Sequence, residues 1–383
     1  MRPTAFLPIL GGLILGTLAA SPPAAAKDFQ VELRMKGSPS RPVDRLISVG
    51  GELYGASGDG GPTNSGTLYV FDPVTGAVRI LYGFTGGVDA AYPAGAPIKF
   101  HGKLFGTTEL GGAGGQGAIY SFDLSTGAEK VVYSFKGGAD GDVPLAGLVE
   151  AGGKLYGTTY EDTLFSFDPT TGVETVLYTF KGGADGASPY GALLPFGGKL
   201  FGTTDVGGTA FKGTVYSFDP ASGVETVLHS FQGGSDGNYP LGRLIEVGGM
   251  LYGTTDAGGP ANSGTIFSVD PATGAEAVVY AFKGGEDGLS PDLGLIEVDG
   301  ELFGVTLYGG KSEVACQDTP GCGTVYSFDP ATGVKKTLHY FTGGTRGFYP
   351  YSSLIKLGDR LYGATNVGGA PDCECGILYS LMK

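Results

Sequence analysis

Basic residues are scarce in this chain of 383 residues. It contains 24 Lys and Arg against 38 Asp and Glu, which gives a formal net charge of −14 at pH 7. No basic run interrupts the acidic composition. Because the phosphate backbone of nucleic acid attracts Lys and Arg, a nucleic-acid partner is not expected.

Long hydrophobic runs are also scarce, and the clearest one lies at the N-terminus. Arg2 precedes an apolar stretch from Ala5 to Ala20, and three alanines stand before Lys27. This order of charge, apolar run and small residues is typical of a signal peptide. We therefore predict a signal peptide at residues 1–26, a mature domain at residues 27–383, and a secreted or periplasmic protein. The apolar run is short for a bilayer, so no membrane span is expected after cleavage.

A repeat organises the rest of the chain. The motif Leu-(Tyr/Phe)-Gly recurs about every 50 residues, a spacing typical of a propeller blade. It begins at Leu53, Leu104, Leu155, Leu200, Leu251, Leu302 and Leu361. In the unit Arg243 to Phe282, four segments rich in β-branched and aromatic residues are separated by turn-forming residues, which predicts four strands.

Seven units of four strands predict an all-β fold, a seven-bladed β-propeller. The last unit stops after its third strand, at GILYSLMK, whereas VELRMKG (31–37) near the start of the mature chain matches the fourth strand VLYTFKG (176–182). The N-terminal strand is therefore expected to complete the last blade and close the ring. The glycine of each Leu-(Tyr/Phe)-Gly motif, such as Gly253, lies inside a strand, which indicates a bulge or the close approach of an aromatic ring.

The repeat resembles a known family. Its consensus, LYGTT-x-x-GG…GT(V/I)(Y/F)S-(F/V)-DPxTG…(L/V)YxF-x-GG-x-DG-x-x-P, is similar to the GloVer (Gloeo-Verruco) repeat of exported bacterial proteins and covers nearly the whole mature chain. More distantly it resembles kelch and quinoprotein propellers, without their tryptophans. The resemblance implies a secreted tandem-repeat protein and brings no established activity or catalytic residues.

One recurrent loop offers candidate ligand-binding residues. The loop Gly-Gly-x-Asp-Gly-x-x-Pro joins successive units, and its acidic position, which is Arg in the sixth unit, is expected on one mouth of the propeller. The set comprises Asp89, Asp140, Asp185, Asp236, Asp287 and Arg346. These side chains are candidates for binding a cation or a polyhydroxylated ligand. The alternative, which the residues favour, is that each Asp accepts hydrogen bonds from its own turn.

Four cysteines, Cys316, Cys322, Cys373 and Cys375, lie in equivalent loops of the last two units. An even number in an exported chain favours disulfides over a zinc site, since the spacing fits no zinc signature. Cys316 and Cys322 would close a small loop, and the pairing of Cys373 with Cys375 is left open.

Other motifs carry little chemistry. The GxGxxG run that begins at Gly112 precedes a strand rather than a helix, and the GxSxG run at Gly233 has no strand-to-helix elbow. The histidines fall in units that are not neighbours in the ring, and His229 and His339 replace tyrosines of other blades, so packing explains both. Neither a metal nor a cofactor is expected.

These observations favour an exported binding or scaffolding module whose ligand is unknown. Extracellular carbohydrate or a cell-surface protein is a plausible partner, because exposed Tyr can stack on sugars and loops on a rigid frame carry recognition. The alternative is an extracellular polysaccharide hydrolase or lyase that uses carboxylates on the loop face. No catalytic residue is assigned.

Overall fold

The computed structural model describes residues 29–311, 316, 319, 321–370 and 375–383. The signal peptide assigned to residues 1–26 lies outside these residues. Seven antiparallel sheets follow one another along the chain and form a seven-bladed propeller. No helix among the described residues is long and apolar enough to cross a membrane.

The first four blades each consist of an inner, a second, a third and an outer strand. Blade 1 contains Ser40–Val49, Glu52–Asp59, Thr67–Asp72 and Ala77–Gly83. Blade 2 contains an inner strand in two pieces, Ala90–Pro93 and Ile98–Phe100, followed by Lys103–Gly111, Ala118–Asp123 and Glu129–Ser134. Blade 3 contains Val149–Ala151, Lys154–Thr158, Thr163–Asp168 and Val173–Thr179. Blade 4 contains Leu194–Phe196, Lys199–Thr204, Thr214–Asp219 and Val224–Ser230.

The remaining blades keep this order, except that blade 7 takes its outer strand from the start of the chain. Blade 5 contains Ile245–Val247, Met250–Thr255, Thr265–Val269 and Glu276–Ala281. Blade 6 contains Ile296–Val298, Glu301–Thr306, Thr324–Asp329 and Val334–Tyr340. Blade 7 contains Phe348–Pro350 and Ile355–Leu357, then Arg360–Val367, Ile377–Met382 and Gln30–Arg34. Short 3₁₀ turns lie between blades at Gly138–Asp140, Gly183–Asp185, Gly234–Asp236, Gly285–Asp287 and Gly344–Arg346.

The N-terminal strand closes the ring, as the sequence predicts. It pairs antiparallel with Ile377–Met382, and its register shifts between Val31 and Leu33. The outer strands of the other six blades carry the same irregularity, for example between Val215 and Tyr216 in blade 4. Met35, which is 1% exposed, packs in one cluster with Tyr69 of blade 1. The two ends of the chain therefore share the last blade and connect it to the first.

Aromatic pairs connect each blade to the next. A Phe just after the outer strand of each of blades 1 to 6 contacts an aromatic ring on the third strand of the following blade, with ring centroids 4.9 to 5.2 Å apart. Met35 takes this place between blades 7 and 1. The motif glycine makes room for the third-strand ring. A Cβ on Gly202 would lie 2.5 Å from the Tyr216 hydroxyl, and the register of the second and third strands has no bulge there. The prediction of close aromatic approach is confirmed.

Candidate functional site

The recurrent aspartates close their own turns. In the loop after blade 3, the Asp185 carboxylate accepts a hydrogen bond from the Lys181 amide at 2.7 Å and from the Tyr178 hydroxyl at 2.7 Å. The same pair of bonds recurs at Asp89, Asp140 and Asp287, and at Asp236 with His229 in place of Tyr. Arg346 occupies the equivalent turn, and its guanidinium lies 5.3 Å from the Phe29 ring centre.

These six residues lie at the junctions between blades rather than around the axis. None of them lines the central cavity described below. Among the described residues, no hydrogen bond joins one of the five aspartates to another. Their contacts are those of turn-closing residues, and a ligand-binding role for the set stays a prediction.

A glutamate from the next blade faces four of these aspartates, a feature that sequence reasoning missed; the fourth pair is Asp236 with Glu276. Burial raises the pKa of Glu129, Glu174 and Glu225 to about 7 in each case, and the neighbouring Asp89, Asp140 and Asp185 add to the rise. Each glutamate lies on an outer strand, so it reaches the aspartate only when two blades stack. At the junction of blades 5 and 6, Lys335 takes the place of the glutamate and pairs with Asp287.

We expect the free energy of unfolding to fall as the pH rises from about 5 to 8. A carboxyl whose pKa is near 7 in the folded state and 4.5 in the unfolded state binds more protons when folded. Its contribution is therefore complete below pH 4.5 and lost as the pH passes 7. Urea unfolding at several pH values checks this.

A triple Gln variant tests which groups cause this slope. Replacing Glu129, Glu174 and Glu225 by Gln should reduce the slope, with Glu276 contributing the part that remains, and raise the stability at pH 8. The matched control replaces three other glutamates by Gln, namely Glu150, Glu246 and Glu297. Their carboxylates accept hydrogen bonds from the backbone amides of Gly153, Gly249 and Gly300. That control should keep the slope. A slope that survives undiminished in the first variant and disappears in the control would contradict the assignment.

The central channel presents a different set of side chains. Residues within or just before the inner strands of all seven blades converge on the axis and line a cavity of about 160 Å³. Their backbones nearly touch, since a Cβ on Gly95 would lie 2.0 Å from the Gly147 nitrogen and one on Gly242 3.0 Å from the Asp292 carbonyl oxygen. Glycine at these positions lets neighbouring blades approach closely, so the wall is a tightly packed frame.

Polar groups project into this cavity from opposite blades. Tyr190 of blade 4 and Tyr351 of blade 7 approach each other across it, with hydroxyl oxygens 3.4 Å apart. Arg243 also lines the cavity, and its Nε is shielded from solvent with no hydrogen-bond partner among the described residues. Burial, together with the nearby charge of Arg45, lowers the pKa of Arg243 to about 10. The cavity therefore offers two phenol hydroxyls and a guanidinium donor that is not saturated.

A buried carboxyl completes the cavity wall at blade 6. Asp292 lines the cavity, and its Oδ1 is shielded from solvent with no hydrogen-bond partner among the described residues. The nearby carboxyl of Asp256 follows the second strand of blade 5. Burial raises the pKa of Asp292 well above its usual range, and the charges of Asp256 and Asp205 add to the rise. Burial likewise raises the pKa of Asp205 and Glu109. Carboxyls with raised pKa values in a cleft are typical of functional sites.

The cysteine-containing loop of blade 6 supports the neighbouring aromatic residues. Cys316 and Cys322 form a disulfide with their Cα atoms 5.4 Å apart. The Tyr349 hydroxyl donates to the Cys316 carbonyl oxygen at 2.9 Å and also contacts Thr319 Oγ1 at 2.8 Å. The Tyr349 ring packs edge-on against Tyr308, with ring centroids 5.2 Å apart. Burial raises the pKa of Tyr308, and the charges of Asp292 and Asp256 add to the rise. Cys375 is also disulfide-bonded, and Cys373 lies outside the described residues.

Comparison with protein families identifies the repeat. The Gloeobacter/Verrucomicrobia repeat matches residues 15–163 and 162–316, more than half of the chain. The protein belongs to this family. The second match contains Tyr190, Arg243, Asp256 and Asp292, so much of the cavity wall lies within the Gloeobacter/Verrucomicrobia repeat itself. No curated protein matches the chain.

Solved structures share the fold of this Gloeobacter/Verrucomicrobia repeat protein at low sequence identity. A chain of the mitotic checkpoint complex is 12% identical with a TM-score of 0.60, over 97% of this chain and 98% of that one. The extracellular domain of a putative hybrid two-component system from B. thetaiotaomicron is 11% identical with a TM-score of 0.60, over 92% of this chain and 39% of that one. The computationally designed Ika8 protein is 15% identical with a TM-score of 0.54, over 92% and 100%.

Proposed function

We propose that this protein is an exported binding module that holds a carbohydrate in its central channel. Three observations support export: the signal-like N-terminal segment, the disulfide between Cys316 and Cys322, and a structural neighbour that is an extracellular domain. Disulfides persist in oxidising compartments, so a secreted or periplasmic location is consistent with this chemistry.

The cavity chemistry carries the carbohydrate proposal. A sugar presents hydroxyl groups that both donate and accept, together with apolar C–H faces. The cavity matches this with a carboxyl at Asp292, a donor at Arg243, and the rings of Tyr190 and Tyr351. Small-molecule sites are concave, largely preformed, and orient their ligand with few polar groups. The rigid, glycine-packed frame provides such a preformed site.

Sister blades supply variants that test the site without disturbing the frame. Blade 2 has Ala94 where blade 6 has Asp292, and blade 3 has Leu145 where blade 7 has Tyr351. We expect Asp292→Ala and Tyr351→Leu each to weaken binding of a saccharide selected on a glycan array by about 10- to 100-fold. This follows from removing one hydrogen-bonding partner and leaving the buried saccharide hydroxyl unpaired, about 1–3 kcal/mol. Calorimetric titration of the purified mature protein measures it.

The control for this experiment lies on the opposite face. Asp219 begins the turn between the third and outer strands of blade 4, where its carboxylate accepts the Ala221 amide at 2.8 Å. Asp219→Ala should leave saccharide affinity unchanged. If no glycan binds, or if both cavity variants bind as tightly as the unaltered protein, the proposed function is wrong.

A polysaccharide hydrolase or lyase is the second candidate, and the Asp256–Asp292 pair favours considering it. A carboxyl with a raised pKa beside a second carboxylate is suited to general acid catalysis. Retaining glycosidases, however, separate their two carboxyls by about 5 Å and inverting ones by more. Of the Asp256 and Asp292 carboxyls, that of Asp292 alone lines the cavity, which favours binding. An enzyme would lose nearly all turnover in Asp256→Asn while retaining substrate affinity.

A further inference from the structure

The junction between blades 4 and 5 differs in one side chain from the three junctions that precede it in the chain. In blades 1, 2, 3 and 5, a Tyr hydroxyl on the outer strand donates to the Asp of the following turn. In blade 4, His229 holds that position, and its Nε2 lies 3.3 Å from the Asp236 carboxylate. A phenol is thereby replaced by an imidazole, which is a metal ligand as well as a hydrogen-bonding group.

Glu276, on the outer strand of blade 5, completes a group of three. His229, Asp236 and Glu276 each offer one ligand atom, and these three atoms lie within 4.8 Å of one another. All three side chains are partly buried. The Glu276 Oε1 is shielded from solvent and has no hydrogen-bond partner among the described residues. The same is true of the equivalent oxygens of Glu129, Glu174 and Glu225, so the imidazole of His229 is what distinguishes this junction. An unpartnered polar atom in such a position is unfavourable, and a cation between the two carboxylates would satisfy it.

We propose that His229, Asp236 and Glu276 bind a divalent transition-metal ion of the zinc type that links blade 4 to blade 5. Zinc accepts one imidazole and two carboxylates and leaves its fourth position to water. Calcium is disfavoured because it takes six to eight oxygen ligands. The Gln232 amide holds Asp236 at 2.6 Å, so one ligand is already oriented.

The other junctions lack one member of this set. Those after blades 1, 2 and 3 have the Asp and the Glu but a Tyr in place of His229. The junction after blade 5 has Lys335 in place of the Glu. After blade 6, His339 stacks on Phe29 at 3.7 Å and Arg346 replaces the Asp. Among the described junctions, the donor set is complete between blades 4 and 5 alone.

Zinc titration of the untagged, chelator-treated mature protein near pH 7 tests this site. We expect one equivalent of zinc by calorimetry and a rise in the thermal unfolding midpoint on addition of zinc. His229→Tyr restores the side chain of four sister blades, so it should unfold cooperatively yet lose both effects. Glu276→Gln should lose both as well, while Glu225→Gln at the preceding junction should retain them.

A gain-of-function variant makes the test sharper. Asp185 and Glu225 already face each other beside Tyr178, so Tyr178→His should add a second equivalent of zinc. A folded Tyr178→His variant that stays at one equivalent contradicts the claim that the imidazole completes the set. Zinc binding that persists in His229→Tyr, or absent zinc binding by the unaltered protein, overturns the proposal. None of these readouts depends on the channel or on a saccharide.

Discussion

Deletion of residues 28–37 from the mature protein is expected to abolish the recovery of soluble, folded protein. The deletion removes the outer strand of blade 7 and exposes the edge of Ile377–Met382. It also removes Met35 from the Tyr69 cluster and Phe29 from its stack on His339. Each large buried apolar side chain contributes about 2–5 kcal/mol, and typical domains are stable by only about 5–15 kcal/mol. Expression yield and thermal unfolding measure the effect.

A circular permutant separates loss of the strand from loss of residues in general. In the other blades, the third and outer strands are joined by a five-residue turn such as Asp270 to Gly274. Joining Lys383 to residues 29–37 through a turn of that sequence should restore folding, because the strand then pairs as it does now. A truncated protein that unfolds at the same temperature as the complete one would rule out ring closure by this strand.

Asp287→Ala is expected to lower the free energy of unfolding by about 3 kcal/mol or more, as for other buried ion pairs that lose one partner. The Lys335 side chain is only 2% exposed, and its Nζ lies 3.0 Å from the Asp287 carboxylate. It also donates to the Asp287 carbonyl oxygen at 2.6 Å. Without the carboxylate, a buried ammonium group has no counter-charge. Urea unfolding at pH 7 measures the change.

The matched control is Asp185→Ala, at a junction with the same turn and no lysine. It loses the bonds from the Tyr178 hydroxyl and the Lys181 amide but relieves repulsion with Glu225. Its expected loss is smaller, about 1–2 kcal/mol. Adding Lys335→Met to Asp287→Ala should recover part of the larger loss. Equal losses at the two junctions would show that turn closure alone, and not the ion pair, sets the stability.

The fold could be predicted from the sequence because each unit repeats the same local signals. Turn residues and strand composition recur in each unit, and the unmatched third strand at the C-terminus finds its partner in VELRMKG. The role of Gly253, the glycine of the Leu-(Tyr/Phe)-Gly motif, can also be predicted locally, since glycine inside a strand indicates close approach of another group. These features need no knowledge of how blades are offset from one another.

The candidate site could not be predicted in the same way. The aspartates that recur in the repeat close their own turns, so the most regular acidic positions are not those of the cavity. The cavity side chains stand where the repeats differ, at the residue after the loop Pro and the residue after the LYGTT motif. There Tyr190, Asp292 and Tyr351 replace Ala, Val or Leu, and Glu109 has Leu307 as its counterpart. The sequence signal that could have located the cavity residues is the difference in side chain between otherwise similar repeats at these two positions.

Contacts between blades were beyond reach for a geometric reason. Tyr190 meets Tyr351 from the far side of the ring, and Glu276 reaches Asp236 only through the stacking of two sheets. Sequence spacing carries no information about that offset. The sequence alone therefore indicates that His229 is a packing residue equivalent to Tyr, whereas the structure places it beside two carboxylates.

A crystal structure of the protein soaked with the saccharide that binds on the array would test the central claim most directly. We predict electron density for one sugar unit in the axial cavity, within hydrogen-bonding distance of Asp292 and in contact with Tyr190 or Tyr351. Density for the sugar on the outer strands or the blade junctions, with the axial cavity empty, would contradict it.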